Sequence, residues 1–205
     1  MFFKSAEERI KDFNDLWRDF APEESDSIVI KNSELMDYLI NNGFFTAPAS
    51  TKYHGAYEGG LYDHCRCVFD RLNILTHNDN LQWSRDESPF IIGMFHDLCK
   101  CDQYIPIIET EYASVEGNKH TLFAKEKITG YEYNTKTLLK GHGSKSVMIL
   151  SRFINLTEEE MLCIRYHMGA YEKEEWTEFD MAIRKYPNVL WTHMADMLAS
   201  KVDDV

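Results

Sequence analysis

Apolar residues recur at three- and four-residue intervals along most of the chain, which is the spacing that one face of an α-helix requires. The first such pattern predicts an amphipathic helix over residues 5–20. A second predicted helix is capped by Ser33 and stopped by Gly43, and a loop rich in glycine, proline and small residues follows. A third helix is expected from near Leu61 to beyond Leu75.

The next pattern is apolar on nearly every side. Ser88 followed by Pro89 is typical of a helix start, and the run FIIGMFHDLC continues it with His96 and Asp97 as its polar members. A buried helix of this kind leaves its polar side chains in need of compensation. Further helical patterns cover residues 143–153, 157–168, 177–185 and 188–200, and Thr157 with Glu160 forms a capping box at the start of the second of these.

Between residues 104 and 138 the helical spacing gives way to aromatic and β-branched residues with charges between them. We expect an irregular insertion here, or a small hairpin around TLFAKEK (121–127) and GYEYNT (130–135). No repeat or long linker divides the chain. The predicted fold is therefore one all-α domain over residues 1–205, a bundle of about seven helices that carries this insertion.

The charge of the chain limits the partners it can bind. Acidic residues outnumber basic ones by 34 to 22, so the formal net charge is −12 and a long nucleic-acid backbone is disfavoured. A small anionic substrate held by metal ions in a pocket is compatible with that charge. The sequence starts without a sustained apolar run and contains no stretch that predicts a membrane span, so we expect a cytoplasmic protein.

The five cysteines are an odd number for a disulfide framework, and we expect free thiols. Cys65 with Cys67 and Cys99 with Cys101 each resemble half of a structural zinc site. Both pairs lie in stretches predicted to be helical, where residues two apart point about 200° away from each other. Structural zinc stays open as an alternative.

Three predicted helices each bring a metal-ligating side chain to an apolar position: His64 just after Gly59-Gly60, the pair His96 and Asp97, and Asp196 in the last helix. For the pair alone, a core histidine beside a surface aspartate is the alternative. The three positions together favour a metal centre, since imidazole nitrogen and carboxylate oxygen suit Fe, Mn, Co, Zn or Mg.

These positions resemble the signature of the HD-domain superfamily of metal-dependent phosphohydrolases, a histidine, a His-Asp pair and a distant aspartate. The matching segments are GGLYDH (59–64), FHDLCK (95–100) and WTHMADMLAS (191–200). The segment APASTKYHGAYEGGLYDH (47–64) is also similar to the lead-in of the HD domains of bacterial 3′-to-5′ exoribonucleases. The resemblance implies that one metal ion is bound by His64, His96, Asp97 and Asp196, with Asp97 bridging to a second ion.

Two further histidines match the two-metal branch of that superfamily, His142 in KGHGSKSVMIL and His167 in IRYHMGAY. Gly141 and Gly143 would let the backbone at His142 approach a metal closely, and the helix that follows could bind phosphate at its first turn. The chain departs from the family pattern where Cys99 replaces a common glycine. It departs again in the insertion between Asp97 and His142, which we expect to set substrate choice.

Other polar residues border the predicted centre. Lys100 lies three positions after Asp97 and so faces the same side of a helix; the resemblance implies contact with the substrate anion, whereas a lysine complementing the helix dipole is the alternative. His193 is predicted to support Asp196, and His54 to border the pocket. His77 and His120 are expected at the surface.

The resemblance implies a phosphohydrolase that cleaves a nucleotide or another small phosphate ester with a metal-activated hydroxide, with Asp97 and Lys100 as catalytic residues and one or two divalent ions as cofactor. Three alternatives remain open. The same six ligands serve di-iron oxygenases of the myo-inositol oxygenase type, the lead-in segment suggests a 3′-to-5′ exonuclease on short single strands, and the fold can also serve as a binding module without activity.

Overall fold

The computed structural model describes residues 5–21, 32–115, 118–139, 141–170 and 175–205. These ranges are rich in helix and contain one antiparallel pair of strands. The α-helices are α1 (Ala6–Phe20), α2 (Asn32–Asn41), α3 (Gly60–Asn78), α4 (Ser88–Phe95), α5 (His142–Leu150), α6 (Glu158–Tyr166), α7 (Glu175–Lys185) and α8 (Asn188–Lys201). A short 3-10 helix covers Leu98–Asp102, and the strands are β1 (Tyr104–Val115) and β2 (Asn118–Tyr133). Within the described ranges no helix is both long and apolar enough to cross a lipid bilayer.

Several helix ends follow the predicted signals, and the start of α2 does not. Ser5 caps α1, and Thr157 with Glu160 forms the predicted capping box of α6. Gly43 adopts φ of +83° just after α2, so the predicted stop is confirmed. α2 already begins at Asn32, so Ser33 lies inside the helix and the predicted cap there is wrong.

The helix that was predicted to contain His96 and Asp97 ends before them. The last residue of α4 is Phe95, His96 is its C-cap, and Asp97 (φ −107°, ψ 20°) joins it to the 3-10 helix. The His96 ring contributes to this ending, because its Nδ1 atom binds the carbonyl oxygen of Gly93 at 2.9 Å. Asp97 therefore lies at a junction between two helices instead of within one.

The predicted insertion is a regular hairpin. β1 pairs with β2 over almost their whole length, with register shifts at Ile107/Ile108 and Ser114/Val115. The predicted hairpin is present, but TLFAKEK and the first four residues of GYEYNT both belong to β2, and their partner strand is β1. The register shift opposite Gly130 lets a single strand continue through this glycine.

The core brings several helix ends together at one place. α3 contacts α4 and α8, and α6 contacts α5 and α8. α4 and α3 approach closely at Gly93, where an added Cβ would lie 2.5 Å from the Cα atom of Phe69. This packing sets the start of α3, the C-terminal ends of α4 and α6, the start of α5 and the middle of α8 around a common centre.

Candidate metal centre

Five side chains from these helix ends surround the carboxylate of Asp97 or lie next to it. His64 comes from the first turns of α3, and His96 and His167 are the C-caps of α4 and α6. His142 is the first residue of α5, and Asp196 lies in α8. All are buried except the side chain of His142, which is 27% exposed. The structure thus brings together all six residues that the sequence singled out as ligands.

The two oxygens of Asp97 face different pairs of histidines. Oδ2 lies 3.5 Å from Nε2 of both His64 and His96. Oδ1 lies 3.4 Å from Nε2 of both His142 and His167. A carboxylate that divides its oxygens between two pairs of nitrogens has the arrangement that bridges two metal ions.

Backbone carbonyls fix the orientation of three of the four rings. Each of these rings has its Nδ1 atom within 2.9 Å of a carbonyl oxygen: His64 with Val205, His96 with Gly93, and His167 with Ile164. A carbonyl only accepts hydrogen bonds, so Nδ1 must carry the proton, and the Nε2 atom of a neutral ring then presents a lone pair. Lone pairs that converge on a carboxylate repel it unless a cation lies between them.

The spacing of these atoms suits a shared ion. Two ligands at about 2.1 Å from a metal lie about 3.0 Å apart at a right angle and about 3.4 Å apart at the tetrahedral angle. Nε2 of His64 lies 3.3 Å from Nε2 of His96 and 3.1 Å from Oδ1 of Asp196. Within the described ranges, buried groups that can hold a metal ion are His64 with His96 and Asp97, and Asp97 with Cys99 and His142.

Burial opposes protonation of two of the four rings. Burial lowers the pKa of His96 below its ordinary value and lowers the pKa of His142 to about 4. At His167, by contrast, Asp97 outweighs burial and raises the pKa above its ordinary value. Asp97 is charged even though burial opposes its charge, because Lys100 and His96 outweigh burial and hold its pKa well below the usual range. Nζ of Lys100 lies 2.6 Å from Oδ2 of Asp97, so this lysine is the nearest cation that the chain itself supplies.

Two buried imidazole nitrogens form no hydrogen bond within the described ranges. One is Nε2 of His167, which faces Oδ1 of Asp97, and the other is Nδ1 of His54. Buried polar atoms are nearly always paired, so such atoms indicate a missing partner. The position of His167 Nε2 fits a metal ion as that partner.

A cavity of about 730 Å³ opens beside the cluster. Lys100, His142 and Asp196 line it from the cluster side, and His54 borders it as predicted. Tyr104 and Tyr133, at the base of the hairpin, form part of another wall. Three further lining residues had no signal in the sequence: Ser144, Arg165 and Lys201.

Some supporting residues act differently from the prediction. Nδ1 of His193 donates to the carbonyl of His167 at 2.7 Å, so His193 supports the backbone at His167 and not Asp196. An added Cβ at Gly143 would lie 2.3 Å from the carbonyl oxygen of Arg165, so this glycine allows close contact between α5 and α6. Asp97 is 1% exposed, which excludes the surface aspartate that was the alternative reading of the His-Asp pair.

The remaining histidines and the cysteines lie outside the set of six proposed ligands. His77 is exposed as predicted, and the side chain of His120 lies outside the described residues. The five thiols are free. Cys99 contacts His142 instead of Cys101, a pairing across 43 positions of sequence that no local pattern could predict.

Comparisons of the chain with family models, with curated proteins and with solved structures found no match.

Proposed function

We propose that the chain is a metal-dependent phosphohydrolase that cleaves a nucleotide or another small phosphate ester. The observation that supports this most directly is the division of the Asp97 oxygens between two pairs of histidines. The proposed cofactor is one or two divalent ions, from among Fe, Mn, Mg, Co and Zn. The first ion is held by His64, His96, Asp97 and Asp196, and the second by Asp97, His142 and His167.

Bound divalent ions lower the pKa of a coordinated water toward neutrality and neutralise charge on a phosphate group. The residues of the chain supply the rest of the site. Three of the four rings are fixed before substrate arrives, because the Nδ1 atoms of His64, His96 and His167 are bound to backbone carbonyls. Such preorganisation avoids reorganisation of the site during the reaction.

The side chain of Lys100 can contact either Asp97 or a molecule bound in the cavity. Its Nζ atom neutralises Asp97 in the metal-free protein, and its side chain also lines the cavity. Bound metal would supply that neutralisation, and the ammonium group of Lys100 would then be free to turn toward the cavity. There it would bind a non-bridging oxygen or the leaving group of a phosphate ester.

The cavity suits a small anion although the chain as a whole is acidic. Three basic residues line it, against two carboxylates and a net charge of −12 for the chain. The basic residues are Lys100, Arg165 and Lys201, and the carboxylates are Glu175 and Asp196. A cavity of about 730 Å³ is within the usual range for small-molecule sites. A long nucleic acid would in addition meet the acidic surface, which opposes its binding.

The test is phosphate release by the metal-loaded protein from a panel of nucleotides and other phosphate esters. The Asp97→Asn variant should lose release by at least about 100-fold, because it removes the charge that both ions share. Asp12→Asn is the control, since Asp12 is a carboxylate outside the cluster that bonds Tyr62 and Arg66. Release from no member of the panel would reject the proposal, and oxygen consumption by the iron-loaded protein would favour the oxygenase.

A further inference from the structure

The ring of His142 is held differently from the other three rings of the centre. His64, His96 and His167 each bind a backbone carbonyl through Nδ1. Nδ1 of His142 instead lies 3.4 Å from the sulfur of Cys99. With Nε2 of His142 directed at Oδ1 of Asp97, the thiol occupies the place that a carbonyl has at the other rings.

Cys99 is well placed to hold that ring. It is fully buried in the 3-10 helix, and its backbone N–H donates to Oγ of Ser146 in α5 at 3.0 Å. The 3-10 helix and α5 are thus joined twice, by this hydrogen bond and by the contact between the Cys99 sulfur and the His142 ring. The sulfur also lies 4.0 Å from Oδ1 of Asp97, the outer limit for a hydrogen bond that a thiol donates. One thiol therefore contacts both a ring and the central carboxylate.

We propose that Cys99 is a positioning residue for His142, whose sulfur accepts the hydrogen bond from Nδ1–H and so leaves Nε2 for the ion beside Oδ1 of Asp97. This role rests on the metal centre of the proposed function, and not on the reaction that the centre carries out. It follows the general pattern in which a ligating imidazole donates its other N–H to a fixed acceptor.

A thiol in place of a carbonyl should make the ion at His142 easier to remove than the other ion. Sulfur is a weak acceptor, so His142 is held less firmly than the other rings. Its side chain is also 27% exposed, whereas those of His64 and His167 are at most 1% exposed. The ion bound by His142 and His167 is therefore the one that exchanges with solvent more readily, and a chelator should remove it first.

The experiment measures the binding of Co²⁺ to the protein and to three variants. Cys99→Ala removes the acceptor and should weaken binding of the second ion by roughly 10- to 100-fold, with the first ion unaffected. Cys99→Ser keeps an acceptor and should restore most of that affinity, which a purely structural role of the cysteine would not allow. Cys101→Ala is the matched control, a buried cysteine on the same short helix, and should bind both ions normally.

Three results would overturn the proposal: unchanged affinity in Cys99→Ala, equal losses in the alanine and serine variants, or a sulfur-to-cobalt charge-transfer absorption in the unaltered protein, which would make Cys99 a ligand. If Cys99→Ala does not fold, nitrogen NMR of the unaltered zinc-loaded protein decides. The His142 ring should carry its proton on Nδ1, and a proton on Nε2 would contradict the assignment.

The reaction and the role of Cys99 can fail separately. Normal binding of two ions with the predicted pattern among the variants, but without phosphate release, would reject the phosphohydrolase and leave Cys99 in its role. Phosphate release with unchanged second-ion affinity in Cys99→Ala would reject the role of Cys99 alone.

Discussion

Nζ of Lys100 lies 2.6 Å from Oδ2 of Asp97, the same oxygen that faces Nε2 of His64 and of His96. Both partners are almost completely buried, so in the metal-free protein the lysine is the nearest counter-charge of a carboxylate that cannot reach water. A metal ion bound at this oxygen would therefore compete with the ammonium group of Lys100 for the same position. Under the proposed function, this pair would link the stability of the protein to its affinity for metal.

Replacing Lys100 by methionine should destabilise the metal-free protein by about 3–5 kcal/mol, because it leaves the charge of Asp97 buried without its nearest partner. Added Mn²⁺ or Zn²⁺ should stabilise this variant more than the unaltered protein, since the ion no longer displaces an ammonium group. Urea denaturation with and without metal measures both effects. Lys145→Met is the control, because Lys145 is also buried but pairs with Asp102. An equal metal response in Lys100→Met and the unaltered protein would contradict the competition.

Gly143→Ala should move α5 away from α6. The added Cβ would lie 2.3 Å from the carbonyl oxygen of Arg165, and that backbone atom cannot yield without shifting the helix that ends at His167. We expect a loss of roughly 1–3 kcal/mol in unfolding free energy. Weaker binding of the second ion should accompany it. Thermal denaturation and metal titration test this, with Gly130→Ala as a control where the added Cβ meets its nearest neighbour at 3.7 Å. Normal second-ion binding in Gly143→Ala would show that the helix contact does not position His142.

The metal-free protein should lose stability as the pH falls from about 6.5 to about 4. Burial lowers the pKa of His54 from 6.5 to about 4, and the neighbouring His64 and Lys100 act in the same direction. Between these values the unfolded chain takes up a proton at residue 54 that the folded chain does not, so acid favours unfolding. Above pH 6.5 this residue contributes no pH dependence.

In His54→Gln, the slope of unfolding free energy against pH should therefore be smaller within that window. The decrease should correspond to at most one proton fewer taken up on unfolding. His77→Gln is the matched control, because His77 is exposed at the end of α3. A slope that is the same in His54→Gln and the unaltered protein would show that the buried ring does not contribute.

Much of the fold and the membership of the cluster could be predicted from sequence because their signals are local. Helical spacing and caps such as Thr157 with Glu160 depend on residues within one or two turns. The six proposed ligands were identified by residue type at apolar positions and by resemblance to a known motif. The structure brings these six side chains together, and their role as ligands remains a prediction.

The failures of prediction have a common physical origin in contacts between distant segments. The carbonyl of Val205 orients His64 across 141 positions of sequence, and Cys99 meets His142 across 43. The end of α4 before His96 was also not predicted, because the apolar run continues beyond it. The residue types in this run do not distinguish an α-helix from the 3-10 helix that follows. An HD-type arrangement of the helices remains a prediction from the motif.

The most direct test of the metal centre is to count the ions bound to the purified protein after reloading with Mn²⁺, Fe²⁺ or Zn²⁺, by elemental analysis. The unaltered chain should hold two ions, His142→Ala and His167→Ala should each hold one, and Asp97→Ala should lose affinity for both. A reloaded, folded chain that binds no ion would contradict the account, and the cluster around Asp97 would then be only a buried network of polar side chains.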